Sequence, residues 1–162
     1  MSVVYLGLGS NLEPGPNLQL ASWELRRRFL LNGMSAVYCS AAMGFDGADF
    51  LNAVACIDTE LSPQELHAVL ELIHDAADRQ RNIGKIISRT LDIDLLLFDR
   101  MVLNDPPLRI PHEDVLQYSF VLRPLSEIAP DYRHPVSGRT LGDHWRDFDA
   151  ASHPLTPVDL NL

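Results

Sequence analysis

The sequence predicts an α+β fold of the ferredoxin-like type, an antiparallel sheet with helices on one face and an irregular C-terminal tail. Three observations predict it. Apolar residues alternate with period two in four stretches and recur with helical period in two longer ones. Their order is strand, helix, strand, strand, helix, strand, which is the βαββαβ pattern. No repeat, low-complexity tract or linker divides the 162 residues, so the reading is one domain over 1–162, long enough for a core and a cleft.

The first strand is "SVVYLGLGS", ending in a turn made by its glycines. Residues 17 to 31, "NLQLASWELRRRFLL", place Leu18, Leu20, Trp23, Leu25 and Phe29 or Leu30 on the buried side of a helix. "MSAVYCSA" is the second strand, and "DFLNAVACIDTEL" alternates as the third. In "SPQELHAVLELIHDAADRQR", Ser62 caps a helix, Pro63 sits in its first turn and Glu65 completes a capping box. "RTLDIDLLLF" is the fourth strand, with Leu91, Ile93, Leu95 and Leu97 toward the core. "MVLNDPPLRIPH" then reads as short extended structure broken by prolines, and "SFVLRPLSEIAP" as a short helix ending at Pro130.

Composition narrows the function classes. A formal net charge of -9 argues against a general nucleic-acid binder, whose affinity rests on neutralising phosphates. No run approaches the ~18 apolar residues of a membrane span. The N-terminal "MSVVYLGLGSNL" lacks the basic and long apolar regions of a signal peptide, so a cytoplasmic protein is expected. Cys39 and Cys56 cannot form a disulfide framework and match no zinc spacing. Charge is nevertheless uneven: "RQRNIGKIISR", residues 79 to 89, holds four basic residues and no acidic one. Such a patch on an acidic chain suits a phosphate chain, or is merely a solvated loop.

The fourth strand carries the chemistry. Asp92 and Asp94 are two apart, so both carboxylates share the face opposite Ile93. Their hard oxygens suit magnesium, with substrate phosphates completing the coordination, although a solvent-facing strand would also tolerate them. The adjoining basic run, with Arg81, Lys85 and Arg89, favours the first reading, because a cation beside a phosphate clamp is what nucleotide chemistry requires. "GLGSN" could present backbone N–H groups to an anion but is neither a Walker A loop nor a dinucleotide fingerprint. His112, in "IPHEDV", could donate to a phosphate or simply pack. Phe50, Asn52 and Phe120 are ordinary in isolation.

In their order and spacing, "GSN", "FLNA", "RTLDIDLLLF", "IPH" and "FVLRPLSEIAP" resemble the 6-hydroxymethyl-7,8-dihydropterin pyrophosphokinase family across most of the chain. The resemblance implies a ferredoxin-like fold and transfer of pyrophosphate from ATP to the pterin hydroxymethyl group, releasing AMP, in folate biosynthesis. It implies that Asp92 and Asp94 hold two magnesium ions, with Arg81 and Arg89 also catalytic. Phe50 and Phe120 would sandwich the pterin, with Asn52 and Ser40 bonding its edge. Arg81, Lys85, Arg89 and His112 would bind ATP phosphates, and His74 would stand where a glutamate usually lies near the adenosine. The partners implied are the pterin and ATP, with no nucleic acid and no membrane, for a protein acting as a monomer.

Departures from the family pattern cluster around the nucleotide. "KIISR" replaces "RWGPR", so Ile86, Ile87 and Ser88 stand in the loop that closes over ATP. Tyr118 replaces a basic residue, Glu113 a tyrosine, and the loop after the second strand, "SAAMGFDGAD", lacks the family's usual proline. Two further readings follow: a divergent paralogue that binds a pterin with slow, altered or no transfer, and a magnesium-dependent phosphohydrolase. Phe50, Asn52 and Phe120 favour a flat heterocycle over a generic phosphoester.

Overall fold

The computed structural model describes residues 1–42, 47–81 and 90–162, with side chains at all of these except 79–81. In chain order the elements are β1 (Ser2–Ser10), α1 (Pro14–Arg28), β2 (Leu30–Met34), β3 (Val37–Ser40), β4 (Phe50–Thr59) and α2 (Pro63–Arg81). They continue with β5 (Asp92–Phe98), β6 (Leu103–Asp105), β7 (Leu108–Ile110), α3 (Ser119–Ile128), α4 (Leu141–Arg146) and β8 (Thr156–Val158). The main sheet runs β5-β1-β4-β3-β8, with β2 also on β4, and every pair in it is antiparallel. The expected ferredoxin-like α+β class is the observed one, but helices cover both faces of the sheet and not one alone.

Two apolar layers flank the sheet. Val4, Leu6, Leu8, Ala55 and Ile57 point to one side, where α1 and α2 bring Leu18, Leu25, Leu66, Leu70 and Ile73. On the other side Val54, Leu96 and Leu97 meet Leu122 and Leu125 of α3 and Leu141 of α4. Because α3 and α4 cover only part of that second face, a cleft is left at its end.

α2 starts as its sequence dictates. Ser62 N–H donates to Glu65 Oε2 at 2.8 Å, and Glu65 N–H donates to Ser62 Oγ at 3.2 Å, the reciprocal pair of a capping box. α1 departs from expectation. It begins at Pro14, where proline suits a first turn, and ends at Arg28, so Leu30 is an exposed residue of β2. Its buried side holds the polar Asn17, Ser22 and Glu24 beside Leu18, Ala21 and Leu25, whereas Trp23 is 56% exposed under the Arg27 guanidinium, 4.9 Å from its ring centroid.

Glu24 is tolerated there because both its neighbours are cations: Arg28 Nε lies 2.8 Å and Arg27 Nη2 3.1 Å from Oε2. Burial alone would raise its carboxyl, but the hydrogen bonds from Arg28 and Arg27 outweigh that and hold it below the ordinary glutamate value. A depressed folded-state value means stability that is complete above the unfolded value, about 4.3, and is lost as pH falls through the folded one. Glu24→Gln is therefore expected to lower stability at neutral pH and to flatten its decline in acid. Urea melts between pH 7 and pH 3 check this; parallel profiles for the two proteins would refute it.

The second strand is two strands, β2 and β3, with a break at Ser35 and Ala36. The Ser35 hydroxyl accepts from Val54 N–H at 2.8 Å and so keeps the broken edge bonded to β4. β5 is bulged. Leu6 pairs with Leu95 but Tyr5 with Leu97, leaving Leu96 as an extra residue. Leu97 therefore joins Leu96 on the α3 side instead of the α1 and α2 side that strict alternation predicts. Nor is the tail irregular: α4 packs on α3, and β8 adds to the sheet through Val37↔Val158, Tyr38↔Pro157 and Cys39↔Thr156.

Candidate active site

The cleft of about 200 Å³ is walled by the ends of β1, β3, β4 and β5 and by the first turn of α3. It brings together Ser40, Phe50, Asn52, Asp92, Asp94 and Phe120, residues separated by up to eighty positions in the chain. Asp92 and Asp94 are exposed on one face of β5, with Ile93 and Leu91 buried behind them. Their partners across β1 are Gly9 and Gly7. These glycines thus lie within the strand and not in a turn, and they leave bare backbone beside both carboxylates. A Cβ on Gly7 would come within 3.3 Å of the Leu96 side chain, and one on Gly9 would sit 3.6 Å from Asn52 Oδ1.

Asn52 is held by its amide nitrogen. Its Nδ2 donates to Ser40 Oγ at 2.9 Å and to Tyr38 O at 3.2 Å. With the nitrogen engaged, Oδ1 is the atom turned toward Gly9 and the cleft, an acceptor of fixed direction. The Ser40 hydroxyl, accepting from Asn52, keeps its own proton to donate. Phe50 and Phe120 are both half-buried on the cleft wall. Tyr118 stacks on Phe120 at 5.0 Å between centroids and 15° between planes, fixing the ring from outside.

Asp114 is a cleft residue that sequence reasoning missed. The one available signal was an acidic residue two places after His112. Burial raises the Asp114 carboxyl, His112 opposes this, and the charges of Asp94 and Glu113 add to it. Asn17 was missed as well. It is buried and its Nδ2 reaches Ser10 Oγ, Leu12 O and Thr90 O, while Ser10 Oγ donates to Thr90 O at 2.5 Å, so the entry to β5 is fixed from β1 and α1.

Other expected site residues lie elsewhere. His112 borders the cleft without lining it: its Nδ1 accepts from Asp114 N–H at 3.2 Å, and it faces a neighbouring recess shared with Arg109 and Glu113. His74 does not open on the cleft; it is 3% exposed and packed between α2 and β5, so the nucleotide contact expected of it is not what its surroundings provide. Lys85 and Arg89 lie outside the described residues, as do Ile86, Ile87, Ser88 and the Arg81 side chain.

The family model for 7,8-dihydro-6-hydroxymethylpterin-pyrophosphokinase (HPPK) matches residues 5–130. The chain belongs to the HPPK family. The 2-amino-4-hydroxy-6-hydroxymethyldihydropteridine pyrophosphokinase of Pseudomonas aeruginosa is 40% identical over 142 residues, covering 85% of this chain and 86% of that protein. The enzyme of the same name from Aquifex aeolicus is 36% identical over 143 residues, covering 87% and 89%. Among solved structures, wild-type Plasmodium falciparum HPPK-DHPS superposes with a TM-score of 0.69 at 14% identity, over 90% of this chain and 43% of that one. This chain therefore spans less than half of that longer protein, and the match speaks for the fold alone.

Within the HPPK family, then, the departures on which the paralogue reading rested are residues 86–88, outside the described residues, the partly described loop 40–49, and Tyr118, Glu113 and His74. Each of those three has a local partner: Phe120 for Tyr118, Arg109 at 2.8 Å for Glu113, and the β5 backbone for His74. No helix among the described residues is long and apolar enough to cross a membrane.

Proposed function

We propose that this chain, acting as one domain over 1–162, transfers the pyrophosphoryl group of ATP to the hydroxymethyl oxygen of 6-hydroxymethyl-7,8-dihydropterin, giving AMP and the pterin diphosphate. The observation that carries the reading is the meeting, in one cleft, of two phenylalanines, directed polar groups and a pair of strand carboxylates. Phe50 and Phe120 offer ring faces to a planar heterocycle. Asn52 Oδ1 accepts from an N–H on its edge and the Ser40 hydroxyl donates, so a ring lacking that pattern would leave buried polar groups unpaired.

The donor set beside the slot fits magnesium. Two adjacent carboxylates supply hard oxygens only, and among the described residues no three His, Cys, Asp or Glu side chains converge as a cage. Asp92 and Asp94 would hold two such ions, sharing them with the phosphates of ATP. Bound there, magnesium would neutralise charge on the phosphates as the transfer proceeds. The bare strand at Gly7 and Gly9 lets the acceptor's side arm lie against the sheet between slot and carboxylates. Arg81, Lys85 and Arg89 would approach the phosphates from the basic segment, and His112 from beside Asp114. On this reading the protein's work is alignment and charge compensation, since phosphoryl transfer needs little covalent chemistry from the enzyme.

Incubation with ATP, magnesium chloride and the reduced hydroxymethylpterin is expected to release AMP and pterin diphosphate in equal amounts. ATP consumed without AMP would exclude pyrophosphoryl transfer, and AMP formed independently of the pterin would replace this reading with hydrolysis.

A further inference from the structure

Among the described residues β5 is an edge strand of the main sheet, with β1 as its one strand partner there. On its outer side the backbone N–H of Ile93, the residue between the two aspartates, donates to Nε2 of His74 at 2.8 Å. The geometry sets the tautomer: Nε2 accepts, so Nδ1 carries the proton and donates to Glu71 Oε1 at 3.0 Å. One turn further along α2, Asp78 Oδ1 accepts from both Thr90 N–H and Thr90 Oγ at 3.2 Å. Two side chains spaced four apart on one helix face thus hold the backbone on either side of Asp92.

We propose that His74 is a positioning residue for the carboxylate pair, its Nε2 fixing the Asp92–Ile93 peptide and so the spread of the two carboxylates. The proposal rests on reading Asp92 and Asp94 as an ion site. The physical reason lies in the edge. A buried strand N–H without an acceptor turns toward another partner or toward water. Ile93 is anchored in the core by its side chain, so any such turn is taken up in the dihedral angles on either side, which are those that aim Asp92 and Asp94. The other backbone neighbours cannot compensate. Ser10 and Asn17 hold Thr90 O, and β1 pairs on the inner side. Groups that orient metal ligands without touching the metal characteristically change affinity about 10–100-fold when removed.

Three variants test this. His74→Leu keeps an apolar volume without an acceptor and His74→Met one with only a weakly accepting thioether, while His74→Gln places Oε1 where Nε2 lies. Mn2+ affinity is measured by electron paramagnetic resonance on the protein without nucleotide, and exchange of the Ile93 amide by NMR on the metal-free protein. Leu and Met are expected to weaken Mn2+ binding about ten-fold or more and to speed Ile93 exchange, with pterin affinity unchanged. Gln is expected to restore both. Mn2+ affinity unchanged in Leu and Met, or equally lowered in all three variants, overturns the positioning role while leaving the ion site standing. Asp94→Asn is the control for that site: if it binds Mn2+ as the unaltered protein does, the ion-site reading fails and this proposal with it.

Discussion

Asp94→Asn, and separately Asp92→Asn, should lower turnover by about 10³-fold or more, the scale seen when an electrostatic stabiliser of a transferred group is removed. The amide keeps the size and shape of the side chain and removes the charge. Both residues are exposed on the cleft face of β5, and the core behind them is made by Leu91, Ile93 and Leu95. The fold should therefore be untouched, and relief of repulsion between like charges should leave the melting temperature equal or slightly higher. Steady-state AMP release and a thermal melt, taken on the same preparations, separate the two effects. Turnover within a few-fold of the unaltered protein in both variants would remove the aspartates from the chemistry.

Phe120→Ala should act on the acceptor and leave ATP binding alone. Loss of one stacking face costs about 1–3 kcal/mol, or roughly 5–150-fold in pterin affinity. Phe120 lies in the first turn of α3, whose hold on the sheet comes from Val121, Leu122 and Leu125, so the helix should remain docked. Tyr118, stacked on the outer face, would lose its neighbour without taking over its position. Calorimetric titration with the pterin, and separately with a non-hydrolysable ATP analogue, reads the two affinities. Equal weakening of both would indicate a collapsed cleft and not a missing ring.

The parts of this protein legible in its sequence are those governed by short-range rules. The period of two places Asp92 and Asp94 on one face, and the offset of three pairs Ser62 with Glu65. What was not legible depended on partners distant in the chain. Trp23 looks like a core residue until Asn17 is seen to hold the buried side of α1, its amide bonded to Ser10 and Thr90 outside the helix, beside a Glu24 that Arg27 and Arg28 of the same helix neutralise. Leu97 changes face because β1 forces a bulge into β5. Gly7 and Gly9 resemble turn residues, since nothing local says that their missing side chains face two aspartates across the sheet. Asp114 enters the cleft only because the segment from β7 folds back on β5, with His112 N–H donating to Leu96 O at 2.8 Å.

β8 escaped notice for a different reason: three residues, one of them proline, are too few to show alternation, and only the outer edge of a sheet tolerates proline. Its place has a bearing on solubility. β3 carries Ser40 into the cleft and would otherwise present an open row of hydrogen-bonding groups to any passing chain. Covered by β8, and with Pro157 having no N–H to offer outward, the sheet ends in a strand poorly suited to recruit another copy. The same few residues that finish the sheet thus guard the protein against self-association, and a chain shortened before Thr156 would be left with the cleft's own strand as its sticky edge.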